Sequence, residues 1–182
     1  MSTISVILPV SSSFAKDFSD FFEKAIESVK KQSSPIDELV LVHSNEEKLV
    51  SYINNFDFGD LNVIKIQNDS ENTDFQSQVN LGISKSTSEW VSILEFDDEY
   101  SFIWFKNVKE YIKYHPECDG FLPLVVDVDD RGLFVGYTNE ATFAASFNTE
   151  IGILTNDLLN EYQNFQTSGM VFKKSLVDNF GG

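Results

Sequence analysis

The segment ISVILPV, residues 4–10, is a mostly apolar run that is rich in β-branched residues and has a proline next to its end. A short run of this composition is typical of a strand that is buried on both faces of a sheet. Such a strand needs helices on both sides to cover it. The segment therefore predicts the central strand of a three-layer α/β domain.

Helical and strand patterns alternate along the chain outward from this segment. Apolar residues from Phe18 to Val29 recur at the spacing of one helix face, and residues 38–44 form the next apolar run. Further helices are predicted on the faces Leu49–Phe56, Phe75–Ile83 and Phe105–Ile112 and from Ser175, and further strands at 62–68, 89–96, 121–128, 133–137 and 169–172. Strands that are linked by helices form a mainly parallel sheet, whose ligands bind beyond the carboxyl ends of the strands.

Two serines have the position of helix caps in this pattern. Ser44 and Glu47 have the spacing of a capping box, and Ser101 precedes the helix that carries Phe105. We therefore expect both serines to begin helices.

Composition excludes several functional classes. The 182 residues include 29 acidic and 13 basic side chains, and the net charge of −16 disfavours binding to nucleic acid or to anionic membrane surfaces. Cys118 is the only cysteine, so neither an intrachain disulfide nor a cysteine-built zinc site is possible. His43 and His115 lie far apart in the sequence, and we expect surface or edge positions for both. No apolar run approaches the roughly 20 residues of a membrane span, and no signal peptide is apparent, so a cytoplasmic location is expected.

An acidic motif of the form acid-x-acid-acid occurs twice, at Glu95–Asp98 and at Asp127–Asp130. The first copy follows a predicted strand, and strand alternation sends Glu95 and Asp97 to the same side. Carboxylates at a strand end can hold Mn²⁺ or Mg²⁺, which neutralises diphosphate oxygens. The second copy runs into the Gly132 turn of a predicted hairpin, where aspartates bond to nearby backbone. We therefore predict that Glu95 and Asp97 hold a metal beside a pocket, whereas Asp129 and Asp130 lie on an exposed turn. The alternative for the first copy is an acidic turn that caps a helix.

The order of the segments resembles the family-2 glycosyltransferases with the GT-A fold, which are nucleotide-diphospho-sugar transferases. The resemblance is carried by ISVILPV (4–10), KAIESVKKQSSP (24–35), DELVLVHS (37–44), VNLGISKSTSEWVSILEFDDEY (79–100) and TSGMVFKKSLVDNFGG (167–182). It covers nearly the whole chain and implies an α/β/α fold with a mainly parallel sheet. It also implies a metal-dependent, inverting, hexosyltransferase-like transfer from a nucleotide-sugar donor to a glycan, a lipid-linked glycan or a protein.

The resemblance further implies roles for individual residues by their position. Asp97 matches the metal-holding acid, Glu95 matches the acid near the donor ribose or the metal, and Asp98 matches the acid that follows. Gly82 matches a glycine that we expect to serve close helix packing. The other matched positions, which line the nucleotide or the sugar, are Pro9, Val10, Ser11, His43, Ser44, Asn80, Thr167, Ser168 and Gly169.

The sequence also departs from the family pattern. Residues 43–45 read His-Ser-Asn where the family usually has an aspartate that reads the base, Val79 stands where arginine is common, and Glu95 replaces aspartate. The sequence stops at Gly182, before the segment that commonly supplies the general base, so slow donor hydrolysis or none is expected from this chain alone. Candidate substitutes for the base are Glu140, Glu150 and Asp157.

We expect one domain over residues 1–182, with a donor-binding part at 1–100 and an acceptor-side part at 101–182 that is short at its C-terminus. Three functions remain open at this point. The first is a glycosyltransferase, and the second is a weak or inactive nucleotide-sugar-binding module of the same fold. The third, an unrelated doubly wound nucleotide-binding domain, is disfavoured because the sequence has no glycine-rich phosphate loop.

Overall fold

A six-stranded sheet organises the chain in the computed structural model, which describes residues 2–12, 17–139, 154, 156–161 and 165–180. The strands are β1 (Ile4–Val10), β2 (Glu38–Ser44), β3 (Val63–Asn68), β4 (Trp90–Ile93), β5 (Gly120–Phe121), β6 (Val125–Val128), β7 (Phe134–Thr138) and β8 (Val171–Lys173). The helices are α1 (Phe18–Lys30), α2 (Glu47–Asn55), α3 (Phe75–Lys85), α4 (Trp104–Tyr114), α5 (Asn156–Glu161) and α6 (Lys174–Phe180).

The sheet has the strand order β3-β2-β1-β4-β8-β5, and its first four strands run parallel. Strand β8 is antiparallel to both of its neighbours, β4 and β5. Strands β6 and β7 form a separate antiparallel hairpin. All seven residues of β1 are buried, so the predicted central strand is confirmed.

One face of the sheet is covered by α1, α2 and α4. Val6 and Leu8 of β1 belong to one apolar cluster with Phe22 of α1, Leu49 of α2 and Phe105 of α4. These helices bury the apolar faces that their sequence spacing predicts. This cluster is the larger of the two that flank the sheet.

The other face of the sheet is covered by α3. Ile7 and Val42 of the sheet pack with Val79 and Ile83 of this helix. A Cβ atom on Gly82 would lie 2.5 Å from Cγ2 of Ile7 and 3.0 Å from Cγ2 of Val42. Since these β-branched side chains are buried and stiff, only glycine allows this approach. The predicted close packing at Gly82 and the three-layer architecture are therefore confirmed, although Phe75, predicted on the inner face, is 38% exposed.

Strand β4 is shorter than the sequence predicts. It ends at Ile93 rather than at residue 96, because the chain turns where the backbone N–H of Asp98 donates to the carbonyl oxygen of Glu95 at 3.1 Å. Strand alternation therefore does not set the directions of Glu95 and Asp97. The strand that is predicted at 169–172 begins later in the structure, at Val171, and ends at Lys173. Helix α6 begins at Lys174, one residue before the predicted Ser175.

Both predicted serine caps are absent. Helix α2 begins at Glu47 with Glu46 as its N-cap, because Ser44 remains the last, buried residue of β2. Helix α4 has Ile103 as its N-cap, and Ser101 instead accepts a hydrogen bond from Trp104 through its backbone carbonyl. Ser44 is held in the strand by backbone pairing, and Ser101 takes part in a backbone turn. Neither serine therefore has the position of a side-chain cap.

The prediction that His43 lies at the surface or at an edge is also wrong. The residue is 5% exposed because β2 lies inside the sheet, and its Nδ1 donates to the carbonyl oxygen of Ser44 at 2.8 Å. His115 is half-buried at the end of α4. In the part of the chain that the structure describes, no helix has the length and apolar character needed to cross a membrane.

Glu38 joins three segments at the amino edge of the sheet. Its carboxylate accepts hydrogen bonds from the Ser5 hydroxyl, from the Thr87 backbone N–H at 2.6 Å and from the Thr87 hydroxyl at 2.9 Å. Burial by itself raises the pKa of Glu38, but these hydrogen bonds outweigh it and hold the pKa below its usual value. The carboxylate therefore stabilises the start of β2, β1 and the loop before β4 together.

We predict that Glu38→Gln lowers the free energy of unfolding at neutral pH by about 2 kcal/mol, because one acceptor atom becomes a donor and leaves a buried donor unpaired. The folded-state pKa lies below the unfolded-state value. The contribution is therefore complete above the unfolded pKa and is lost as the pH falls through the folded pKa. Urea unfolding from neutral to acidic pH measures this loss, with the exposed Glu89→Gln as control. Parallel pH profiles for the wild type and Glu38→Gln would contradict the role of the carboxylate.

Candidate functional site

The carboxyl ends of four parallel strands meet at one edge of the sheet. The chain continues from them through Ser11 after β1, Asn45 after β2, Asp69 after β3 and the turn 94–98 after β4. Two hydrogen bonds link the loop after β1 to its neighbours at this edge, the N-cap residue of α2 and the first turn of α3. The Ser12 hydroxyl donates to Oε2 of Glu46 at 2.9 Å, and Nε2 of Gln78 donates to the Ser11 hydroxyl oxygen at 3.3 Å.

The acidic turn after β4 is fixed by an aromatic side chain. Phe96 packs against Phe18 with ring centroids 5.3 Å apart, so the turn is anchored in the larger core cluster. Glu95 and Asp98 are half-buried, whereas Asp97 is exposed. The turn therefore presents Asp97 outward while it holds the other two carboxylates closer to the protein.

The charges of this turn repel one another. Burial raises the pKa of Glu95, and the neighbouring charges of Asp98 and Asp97 raise it further. Burial also raises the pKa of Asp98; hydrogen bonds from Ser168 and Gln166 oppose this rise, while Asp97 and Asp127 add to it. The turn therefore concentrates negative charge that a cation would relieve.

Residues 166–169 hold the acidic turn from the other side. Nε2 of Gln166 donates to Oδ2 of Asp98 at 2.8 Å, and the backbone N–H of Glu95 donates to the Ser168 hydroxyl at 3.1 Å. Gly169, with a φ of 84°, donates its N–H to the Ile93 carbonyl at 2.7 Å. These contacts bring the predicted residues Ser168 and Gly169 to the acidic turn, whereas Thr167 is exposed.

Three residues of this arrangement have no signal in the sequence. Gln166 contacts Asp98, Nε1 of Trp104 donates to the Gly169 carbonyl at 3.1 Å, and Oδ1 of Asn139 accepts from the Gln166 backbone N–H at 2.7 Å. Each contact joins parts of the chain that are distant in sequence. The antiparallel pairing of β8 with β4 brings the segment before β8 to the end of β4.

The predicted base-lining residues divide between the two faces of the sheet. Pro9 and Val10 are buried in β1, and Ser11 is exposed beyond its end. Ser44 continues the alternation of the residues of β2 that face α3, so His43 lies on the opposite face. The structure therefore does not bring His43 together with Ser44.

Helix α3 provides the other predicted positions. Asn80 is half-buried in this helix. Val79, which stands where arginine is common in the family, is 6% exposed and belongs to the apolar cluster under the helix. This position therefore contributes to the core and offers no charge to a ligand.

The second acidic copy has the geometry of a turn, as predicted. Oδ1 of Asp129 accepts hydrogen bonds from the backbone N–H groups of Arg131, at 3.0 Å, and of Leu133, at 2.9 Å. A hydrogen bond from the Arg131 side chain, followed by the one from the Leu133 backbone, lowers the pKa of Asp129. Gly132 completes the turn with a φ of 77°. Asp127 lies in β6, and its carboxylate accepts a hydrogen bond from the Thr138 hydroxyl at 2.9 Å.

The donor set of the first copy suits a hard cation that is shared with a ligand. Among the residues that the structure describes, no three His, Cys, Asp or Glu side chains form a ready-made metal site. Glu95, Asp97 and Asp98 offer oxygen donors only, which Mg²⁺ and Mn²⁺ prefer. In phosphate chemistry such an ion is often held by one or two carboxylates together with substrate oxygens and water. These carboxylates fit that arrangement.

An open groove of about 520 Å³ lies beside α1. It contains neither Glu95 nor Asp97, so it is not the pocket that the sequence predicts beside them. Of the residues considered as general base, Asp157 is exposed on α5, and Glu140 and Glu150 lie outside the described residues. The groove is lined by Asp20, Glu23, Lys24, Glu27, Ser28, Lys31, Glu99, Tyr100 and Phe102.

Comparisons with known proteins give a family match. The model for "Glycosyl transferase family 2" matches residues 5–178 of the chain. A comparison with curated proteins finds no match.

Solved structures of similar fold are longer than this chain. S. aureus TarS, residues 1–349, in complex with UDP-GlcNAc, matches with a TM-score of 0.69 and 18% identity, over 97% of this chain and 47% of that one. Mannosyltransferase PcManGT from Pyrobaculum calidifontis, in complex with GDP-Man and Mn2+, matches with a TM-score of 0.61 and 15% identity, over 100% and 47%. This chain therefore shares their fold and spans about half the length of each.

We predict that Asp97→Asn raises the melting temperature at neutral pH and low salt by roughly 1–3 °C, because it removes a charge that repels Glu95 and Asp98. The gain should shrink at high salt, where screening weakens the repulsion, and vanish at acidic pH, where the carboxylates are protonated. Asp130→Asn is the control, because it removes an equal charge from the exposed hairpin turn and so measures the effect of the change in net charge alone. Calorimetry that shows equal shifts for both variants would contradict local repulsion at the acidic turn.

Proposed function

The chain belongs to glycosyltransferase family 2, and we propose that it binds a nucleotide-diphospho-sugar at the carboxyl edge of its sheet and transfers the sugar with a divalent metal. The observation that carries this proposal is the acidic turn Glu95–Asp98, which follows β4 at the same edge of the sheet as the carboxyl end of its neighbour β1. The donor-binding part then corresponds to residues 1–100, and the acceptor-side part to residues 101–182.

The solved structures of the same fold support a nucleotide-sugar donor. TarS was solved with UDP-GlcNAc, and PcManGT with GDP-Man and Mn2+. In this chain, Asp97 with Glu95 and Asp98 would hold the cation, which when bound would stabilise the charge that develops on the departing nucleoside diphosphate. A protein with a net charge of −16, and with the apolar Val79 in the core, has little else to offset two phosphates.

The reaction we propose is an inverting displacement. The acceptor hydroxyl attacks the anomeric carbon from the face opposite the diphosphate, and the bond from this carbon to the phosphate oxygen breaks. A carboxylate takes the hydroxyl proton. Ser168 and Gln166 would keep Glu95 and Asp98 in place during this step, since they hold the acidic turn through the contacts described above. The base is unassigned, so we expect slow transfer or none from this chain alone.

A binding module without transferase activity is the second candidate. Two positions favour it. Val79 packs in the core where the family commonly has arginine, and His43 faces away from Ser44 at the position of the base-reading acid. Such a module would bind the donor with the same metal dependence but would not transfer the sugar.

We predict that Mn²⁺ is required for binding of nucleoside diphosphates, and that Asp97→Ala weakens the metal-dependent binding on the order of 100-fold, about 2.7 kcal/mol. Isothermal titration with Mn²⁺ and with excess chelator measures this dependence. Asp130→Ala, in the second acidic motif, is the matched control and should bind as the wild type does. Because Asp97 is exposed, its replacement should leave the fold intact.

Two results would remove the proposal. Tight binding in chelator that Asp97→Ala does not change would exclude a metal-bridged donor. Absence of binding for every nucleoside diphosphate in Mn²⁺ would exclude the donor site itself. Brisk transfer to an acceptor would instead decide against the binding module and show that an unassigned acid acts as base.

A further inference from the structure

Two polar atoms are buried without a partner at the carboxyl end of the sheet. Ser44, the last residue of β2, is 6% exposed, and Gln78, in the first turn of α3, is fully buried. Among the described residues, neither Oγ of Ser44 nor Oε1 of Gln78 finds a hydrogen-bond partner. Buried polar atoms are rarely left unpaired in folded proteins, so this pair indicates a function.

The two side chains lie on the same side of the sheet. Val40 and Val42 of β2 pack with α3, and Ser44 continues this alternation. Gln78 projects from α3 toward the same region, because its amide contacts Ser11 at the end of β1. The unpaired atoms therefore lie in the layer between the ends of β1 and β2 and the first turn of α3.

The orientation of the Gln78 amide is fixed by its neighbours. Nε2 donates to the Thr73 carbonyl oxygen at 3.0 Å and to the Ser11 hydroxyl oxygen at 3.3 Å. A reversed amide would place its oxygen against the Thr73 carbonyl, which cannot donate. Oε1 is therefore the unpaired atom, and it can only accept a hydrogen bond.

The hydroxyl groups beside Gln78 complement this acceptor. Because the Ser11 oxygen accepts from Gln78, its own proton is free to point toward a ligand, and Ser11 is exposed. The hydroxyl of Ser44 also has no partner within the described residues and can donate. The three groups thus offer a donor from Ser11, an acceptor from Gln78 and a donor from Ser44.

We propose that Ser11, Gln78 and Ser44 read the imide edge of uracil in the donor, an inference that rests on the proposed nucleotide-sugar function. Uracil presents a carbonyl, an N–H and a second carbonyl along this edge, which is acceptor, donor and acceptor. Its N3–H donates to Oε1 of Gln78, and its carbonyl oxygens accept from the two serine hydroxyls. The ring N3 of cytosine has a lone pair in place of this N–H, so it opposes Oε1 with a second acceptor.

The test compares UDP with CDP, whose rings have the same size, by titration in Mn²⁺. We expect the wild type to bind UDP at least about tenfold more tightly than CDP, as for one mismatched buried hydrogen bond. Gln78→Leu should bring this ratio close to one. Asp97→Ala should weaken both ligands and leave the ratio unchanged, because it acts on the diphosphate.

Ser44→Ala gives a second readout that does not depend on the stability of the Gln78 variant. Removal of an unpaired buried hydroxyl should keep or raise the melting temperature of the ligand-free protein, while UDP binding weakens. Ser92→Ala is the matched control, because the Ser92 hydroxyl is buried on strand β4 of the same sheet but paired with Tyr100 at 2.7 Å. This control should lower the melting temperature and leave the UDP-to-CDP ratio unchanged.

The outcomes separate this inference from the proposed function. Equal binding of UDP and CDP, or tighter binding of GDP than of UDP, would overturn the uracil assignment while the donor site stands. A lower melting temperature for Ser44→Ala with an unchanged UDP-to-CDP ratio would show that the hydroxyl is structural and would also overturn it. If no nucleotide binds, the result would instead contradict the proposed function.

Discussion

Strand β1 is buried along its whole length between two parallel neighbours, and the rest of the structure follows from that position. A strand inside the protein must complete its backbone hydrogen bonds on both sides, so β2 and β4 are held in one register with it. Their carboxyl ends are thereby fixed at a single edge. Gly82 lets α3 approach this sheet closely, and Glu38 fixes the opposite, amino edge. The polar groups of the candidate site contribute little to the core. Their positions therefore depend on the sheet and on the helix α3 that packs against it.

The site itself is unfavourable for the stability of the free protein. Three carboxylates share one turn, and burial and mutual repulsion raise the pKa values of Glu95 and Asp98. Two polar atoms of the site are also buried without a hydrogen-bond partner among the described residues. The packing of Phe96 and the hydrogen bonds from Ser168 and Gln166 hold the turn despite this repulsion. Unfavourable charge and unpaired polarity together at the carboxyl edge of a sheet are typical of a site that a ligand completes.

The fold was largely predictable from the sequence, because the spacing of apolar residues and the length of each apolar run depend on local residues alone and distinguish strands from helices. ISVILPV could only be buried as a strand, and the helix faces from Phe18 to Val29 and from Phe105 to Ile112 follow the same rule. Local reasoning failed where tertiary contacts compete with local signals. Ser44 has the sequence signature of a cap, yet strand pairing keeps it in β2.

The candidate site was only partly predictable. Its acidic turn follows from a strand-end position and a family pattern, both of which the sequence contains. The end of β4 could not be located, because Leu94 and Phe96 continue the apolar pattern although the strand ends at Ile93 and the chain turns at residues 95–98. The role of Gln166 depends on the antiparallel return of β8, and Gln78 lies in a helix turn without a distinctive motif. The roles of such residues follow from hydrogen bonds between distant parts of the chain, which no local sequence pattern contains.

The central claim is that a divalent metal and a nucleoside diphosphate bind together at the carboxyl edge of the sheet. Paramagnetic broadening of amide NMR signals by Mn²⁺, with and without UDP, tests it directly. A seven-residue strand spans about 20 Å at about 3.3 Å per residue, so the two edges are distinguishable. We predict that, with UDP, broadening begins at Glu95, Asp98 and Ser11 while the signals of Glu38 and Thr87 persist. Broadening centred on the hairpin turn 129–132, or equal broadening at both edges, would contradict it.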